Sequence, residues 1–130
     1  MYLPFSSKAY SAACARYEPN DSIYNPYGPL VSGQTYFAYI CQGDENDYYY
    51  FDINTYNPIT IDLTDIPDGA DYELILYDPN KLIVAQSRQG GNADEHISYV
   101  PSVTGRYYVR VWPYIGHSDT RPYRLVVVYR

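Results

Sequence analysis

Basic residues are scarce in this chain. Nine Lys and Arg stand against fifteen Asp and Glu, which leaves a net charge of -6 and a pI near 4.6. A nucleic-acid partner needs a basic footprint to displace counterions, and none is present. Anionic lipid headgroups repel such a chain, which argues against a peripheral membrane role. No stretch approaches the ~18 consecutive apolar residues of a membrane-spanning helix. Methionine occurs once, and ten Pro with eight Gly punctuate the chain too often for long amphipathic helices. The two histidines, His96 and His117, sit in neither a catalytic triad pattern nor a metal-ligand spacing. Glycine-rich phosphate loops, Cys-x-x-Cys and His-x-x-x-His are absent as well, so the expected protein is not an enzyme. Residues 1–16 lack the basic n-region and continuous apolar h-region of a signal peptide, so the true leader is expected upstream.

What is present is tyrosine, at 19 of 130 positions, against three Phe and one Trp. Aromatic side chains suit a pleated, half-buried surface, so the excess points to β-structure. Short alternating runs separated by turn residues bear this out along the chain. They predict strands at Gln34–Cys41, Tyr48–Ile53, Ile59–Leu63, Tyr72–Asp78, Leu82–Ser87, His96–Val100, Arg106–Trp112 and Tyr123–Tyr129. Their number and spacing predict an all-β fold, an antiparallel jelly-roll-like β-sandwich of about eight strands. The length allows one domain: a sandwich over 17–130, preceded by an N-terminal arm or linker over 1–16.

Two cysteines, Cys14 and Cys41, in a Lys-poor β-domain suit an oxidising compartment. One disulfide is expected, two unpaired buried thiols being the alternative. A bridge would tie the N-terminal segment to the first strong strand. The acids fall in short clusters: Glu18 and Asp21; Asp44, Glu45 and Asp47; Asp62, Asp65, Asp68 and Asp71. Most are expected to line solvated turns, although clustered oxygens in such loops are also what Ca²⁺ needs.

The order of motifs carries more than any one of them. Tyr17-Glu18-Pro19-Asn20-Asp21-Ser22 opens the domain, and Gly43-Asp44-Glu45-Asn46-Asp47-Tyr48-Tyr49-Tyr50-Phe51 follows one strand later. Next come Ala70-Asp71-Tyr72-Glu73-Leu74-Ile75-Leu76-Tyr77-Asp78, then Gly105-Arg106-Tyr107-Tyr108-Val109-Arg110-Val111 and Pro122-Tyr123-Arg124-Leu125. This series resembles the bacterial pre-peptidase C-terminal domain, the family that includes the collagen-binding domains of clostridial collagenases, over about 17–129. The resemblance implies a non-catalytic jelly-roll module of secreted proteins, appended to peptidases or other hydrolases. It also implies a Ca²⁺ site at the junction of linker and sandwich, and the matching positions are Glu18, Asn20, Asp21, Asp44 and Asp47. Carboxylates at i and i+3 of a tight turn converge on one point, and the amide adds a further hard oxygen. Two-calcium relatives carry an additional acid two residues before the first Glu, where this chain has Arg16; one ion at most is expected. The simpler alternative is that Asn20, Asp21 and Asp44 cap turns by side-chain-to-backbone hydrogen bonds.

Alternation divides the tyrosines. Tyr49, Tyr107, Tyr123 and Tyr129 fall in register with apolar neighbours and are expected in the core. Tyr108, Arg110 and Trp112 line the other side of one strand, and Tyr48 and Tyr50 do so on another. An exposed Tyr/Arg/Trp row has the composition of a binding hot spot for an extended polymer, protein or polysaccharide. Aromatics that merely strengthen cross-strand pairs are the competing explanation. Two functions follow. One is a secreted accessory module that holds a polymeric substrate. The other is a structural or adhesive subunit of a cell-surface assembly, whose arm, bearing Tyr2, Leu3, Phe5 and Tyr10, adds to a neighbouring subunit.

Overall fold

The alternating runs bury one face each and so form strands that must pair face to face. In the computed structural model, which describes residues 11–44 and 46–130, eight strands form. They are β1 (Thr35–Ala38), β2 (Asp47–Ile53), β3 (Ile59–Thr64), β4 (Asp71–Tyr77), β5 (Ile83–Ser87), β6 (Glu95–Tyr99), β7 (Gly105–Ile115) and β8 (Tyr123–Val128). One sheet has the order β1-β8-β3-β6 and the other β2-β7-β4-β5, with every pairing between strands antiparallel. Only the β4–β5 connection stays within a sheet; every other one crosses the sandwich, which is jelly-roll topology. The Asp78 carboxylate closes the β4–β5 turn by accepting from the backbone N–H groups of Asn80 and Leu82 at 2.9 and 3.0 Å.

The two inner faces meet in one core. Tyr49, Phe51, Leu74, Leu76, Tyr107, Val109 and Val111 pack against Ile59, Ile61, Leu63, Ile97, Tyr123, Leu125 and Val127, all buried. Three of the four tyrosines expected inside are completely buried, and Tyr129 is half-buried with its ring stacked on Phe51 at 5.1 Å. Strand β7 runs three residues beyond the predicted Trp112: Pro113 pairs with Tyr72, and the register then shifts at Tyr114 before Ile115 pairs with Asp71.

Strand β2 pairs with β7 on one side only, and the segment before β1 covers its other edge. Tyr27 N–H donates to Tyr48 O, Tyr50 N–H to Tyr27 O, and Leu30 N–H to Tyr50 O, at 2.8–3.0 Å. Such cover hides an edge that would otherwise template another chain. Gly28 permits it: a β-carbon there would stand 2.4 Å from the Tyr50 carbonyl oxygen. Gly28→Ala is therefore expected to cost about 1–3 kcal/mol through forced separation of backbone from backbone, read as a lower denaturant midpoint at unchanged m. An unchanged midpoint would show that the segment is not held against β2.

Candidate functional site

The expected disulfide is formed: Cys14 and Cys41 are bonded, with Cα atoms 5.9 Å apart. Cys14 lies within the stretch read as an arm, yet it is buried. Tyr2, Leu3, Phe5 and Tyr10, the apolar anchors of that arm, lie outside the described residues.

The bridge stands beside the acids singled out for metal binding. From Cys14 the chain makes a turn and reaches Tyr17, which adopts a left-handed φ of 66°. Its ring packs on Tyr27, Tyr36 and Tyr49, with centroids 4.4–6.2 Å apart, which offsets the conformational cost. Glu18 follows immediately. On the other side of the bridge, Cys41 N–H donates to Asp44 Oδ2 at 3.0 Å, and Asp44 N–H returns a bond to Cys41 O at the same distance. Glu18, Asp21 and Asp44 thereby offer carboxylate oxygens within 4.8 Å of one another. Oxygens on opposite sides of Ca²⁺ are about 4.6–5.2 Å apart, twice the usual bond length, so the spacing suits that ion.

Asn20 and Asp47 lie deeper. Tyr48 N–H donates to Asn20 O at 2.7 Å, which fixes the Asn20 backbone on β2. The buried Asn20 amide nitrogen donates to Glu18 Oε2 at 2.8 Å and to Asp47 Oδ1 at 3.0 Å. Asp47, at the start of β2, is wholly buried and accepts from Tyr123 Oη at 2.5 Å; Tyr123 in turn shares a hydrogen bond with Tyr49.

Crowding shows in the protonation equilibria. Burial first, then the charges of Asp21 and Asp44, pushes the Glu18 carboxyl from 4.5 up to about 7. Burial likewise raises Asp47 well above the ordinary carboxylate range, although its bond from Tyr123 opposes this. The Tyr72 hydroxyl is buried without a hydrogen-bond partner among the described residues, and Asp47, Asp119 and Asp44 add to burial in pushing it upward. Carboxylates crowded together in this way fit a bound cation. Arg16, expected to exclude a second ion, reaches the Phe37 carbonyl at 3.2 Å.

The second set of residues lies on the outer face of the β2-β7-β4-β5 sheet. Register places Tyr48 opposite Arg110 and Tyr50 opposite Tyr108, with Ile75 and Tyr77 of β4 on the far side of the same two β7 residues. The expected exposed row needs correction at Tyr108, which is only 8% exposed. Tyr77, Tyr108 and Ile75 form a second apolar cluster, and Lys81 closes over the Tyr108 ring at 5.2 Å. Tyr48, Tyr50, Arg110 and Trp112 remain half-buried around that cluster. The Arg110 guanidinium lies over both Trp112 (5.1 Å) and Tyr48 (5.8 Å), and its Nε donates to Asn46 Oδ1 at 2.6 Å. Arg106 covers Tyr50 at 4.0 Å while paired to Asp52 at 2.9 Å. Four cations, Lys81, Arg88, Arg106 and Arg110, thus lie over this face of an acidic chain.

Sequence reasoning missed Tyr77, Lys81 and Tyr114, which extend the patch. Tyr77 was legible as the odd-register partner of Ile75. Tyr114, whose ring meets Trp112 edge-on at 5.5 Å, lay beyond a strand end drawn at Trp112.

Two four-stranded sheets in jelly-roll order, entered through a disulfide-tied turn with an acid cluster, define a small β-sandwich module. The chain belongs to the bacterial pre-peptidase C-terminal domain family, whose profile matches residues 45–112. A solved structure of the same fold is the pre-peptidase C-terminal domain of collagenase from Bacillus anthracis. It aligns with a TM-score of 0.61 and 22% sequence identity over 74% of this chain and 89% of that one. The matched span takes in Asp47 and the outer aromatic face, whereas Glu18, Asn20, Asp21 and Asp44 precede it. Among the described residues no helix is long and apolar enough to cross a membrane.

Proposed function

We propose that this chain is a non-catalytic, secreted accessory module that presents its outer aromatic face to an extracellular polymer, protein or polysaccharide. One Ca²⁺ locks the N-terminal segment to the sandwich. The observation that carries the binding role is the outer face of β2 and β7. Tyr48, Tyr50, Arg110 and Trp112 stand together on a rigid sheet, held by guanidinium–ring contacts of 4.0–5.8 Å. Aromatic and arginine side chains at the centre of a patch supply most of the affinity of an interface, and a sheet presents them with little ordering cost. The collagenase origin of the similar solved domain supports a fibrous protein as the first polymer to try.

For the ion, Glu18, Asp21 and Asp44 would supply carboxylate oxygens and Asn20 its side-chain oxygen, with Asp47 behind them. Bound Ca²⁺ would supply positive charge where buried carboxylates now repel. Its role is structural, joining residues 18–21 to residues 44–47.

Sedimentation with insoluble collagen, chitin and cellulose tests the binding role. The full chain is expected to be retained by one of the three, and Trp112→Ala to weaken that retention about tenfold. Tyr56→Phe, on the exposed connection between β2 and β3, is the matched control. Retention by none of the polymers, or equal retention of Trp112→Ala, would remove the proposed face.

A further inference from the structure

A second group of buried acids lies where the two sheets meet at their edges. Strand β5 pairs with β4 only over Leu74–Tyr77, so Asp71 and Glu73 lie beyond its end. Strand β6 of the opposite sheet closes on that gap and brings Glu95 to it. Asp71 was expected to line a solvated turn, but it is 8% exposed, Glu73 4% and Glu95 not at all. The fold thus takes three carboxylates out of water together, with oxygens within 4.8 Å of one another.

Their existing partners do not satisfy them. Glu95 is well held: the Ser87 hydroxyl donates to its Oε1 at 2.5 Å and Gln89 N–H to both oxygens at 2.9 and 3.0 Å. Arg88 Nε donates to Glu73 Oε2 at 3.0 Å. Among the described residues no hydrogen-bond donor reaches Glu73 Oε1 or Asp71 Oδ1, both buried atoms. Three carboxylates against one guanidinium leave an excess of two negative charges, and each buried orphan costs on the order of 1–3 kcal/mol or more. Burial pushes the Glu73 carboxyl up; Arg88 opposes this, and Asp71 and Glu95 reinforce it.

We propose that Asp71, Glu73 and Glu95 form a second site for a hard divalent cation of the Ca²⁺ class, separate from the Glu18 group and sharing no residue with it. An unpartnered oxygen on Glu73, whose side chain is 5% exposed, and a second on Asp71 point to the missing ligand. The donor set is all carboxylate, without the imidazole or thiolate that softer metals favour. Arg88 neutralises one charge and leaves the rest for the ion. The ion would join β4 to β6, fastening the two sheets at a seam that β5 leaves open.

Trp112, the only tryptophan, provides a local reporter. It is the cross-strand partner of Glu73, which places both side chains on one face, and Arg88 touches both. Tb³⁺ is titrated into the full chain with excitation at the red edge of indole absorption, where the tyrosines near the Glu18 group do not absorb. Saturable terbium emission, reversed by Ca²⁺, is expected from the wild type and from Asp44→Asn. A loss of at least tenfold in terbium affinity is expected from Glu73→Gln. Asp71→Asn, which keeps the Arg88–Glu73 pair, is expected to show the same loss, and near-ultraviolet circular dichroism verifies its packing. Absence of indole-sensitised emission would overturn the site, as would emission that survives Asp71→Asn or disappears in Asp44→Asn. Two carboxyls that merely share a proton would give the first of these results.

Discussion

Replacing Cys14 and Cys41 together by serine is expected to destabilise the fold by about 3.5 kcal/mol. The two are 27 residues apart in sequence, and closing a loop of that length removes about that much chain entropy from the unfolded state. For a domain of this size the melting midpoint is expected to fall by roughly 10–15 °C. The bridge also does something more local. It joins the turn leading to Glu18 to the segment between β1 and β2 whose backbone holds the Asp44 carboxylate. Without it those two ligand-bearing segments have to be ordered by the metal itself, so calcium affinity is expected to fall in parallel. Calorimetric titration of the double variant below its melting range separates the effects. Full calcium affinity in the destabilised variant would show that the bridge does not preorganise the acids.

Metal removal gives the second large effect, and its sign depends on pH. In metal-free protein Glu18 titrates near 7, against an ordinary value of 4.5, because burial and then Asp21 and Asp44 disfavour its charge. Between those two values the folded chain holds a proton that the unfolded chain releases. Stability therefore falls as pH rises from about 4.5 to about 7, and levels off above that. The raised Asp47 acts in the same direction. Glu18 is partly exposed, so solvent screening makes this slope shallower than a fully buried acid would give. Calcium binds the ionised form and has to compete with the proton below neutrality. At pH 8 and free Ca²⁺ about a hundredfold above its dissociation constant, a gain of about 2.7 kcal/mol over chelated protein is expected. At pH 5 the two melts are expected to converge. Asp44→Asn is expected to abolish most of the gain at pH 8. Identical midpoints in Ca²⁺ and in chelator at pH 8 would remove the ion from the Glu18 group.

Both effects act on the junction between the opening segment and the sandwich. That segment covers the free edge of β2 through Tyr27 and Leu30, and β2 also carries Tyr48 and Tyr50 of the outer face. Locking the junction therefore stiffens one side of the proposed binding surface. The second cation site would act at the opposite edge, where β4 meets β6.

Much of this was legible in the residues. Alternation is local: once Tyr49, Phe51 and Ile53 face one way, Tyr48 and Tyr50 must face the other, whatever the strand pairs with. The eight strands, the three fully buried tyrosines among those assigned to the core, and the membership of the outer face follow from that rule. The acids of the opening motif came instead from the resemblance to a family, and the structure brings Glu18, Asp21 and Asp44 together.

How far each group is buried depended on partners distant in sequence. Tyr108 was correctly assigned to the outward side, but Tyr77 and Lys81, brought beside it by the β7–β4 pairing and the turn that follows, cover its ring. Asp71 stood at the edge of an acidic turn and was expected in water. It is buried because β5 stops short and a strand from the other sheet closes over the gap. The strand expected to end at Trp112 continues to Ile115, with its register shifted against Asp71 and Tyr72. The sequence alone determined which side chains share a face, because that depends on a two-residue period. The tertiary structure alone decided which of those faces meet water, because that depends on what the jelly-roll crossings lay against them.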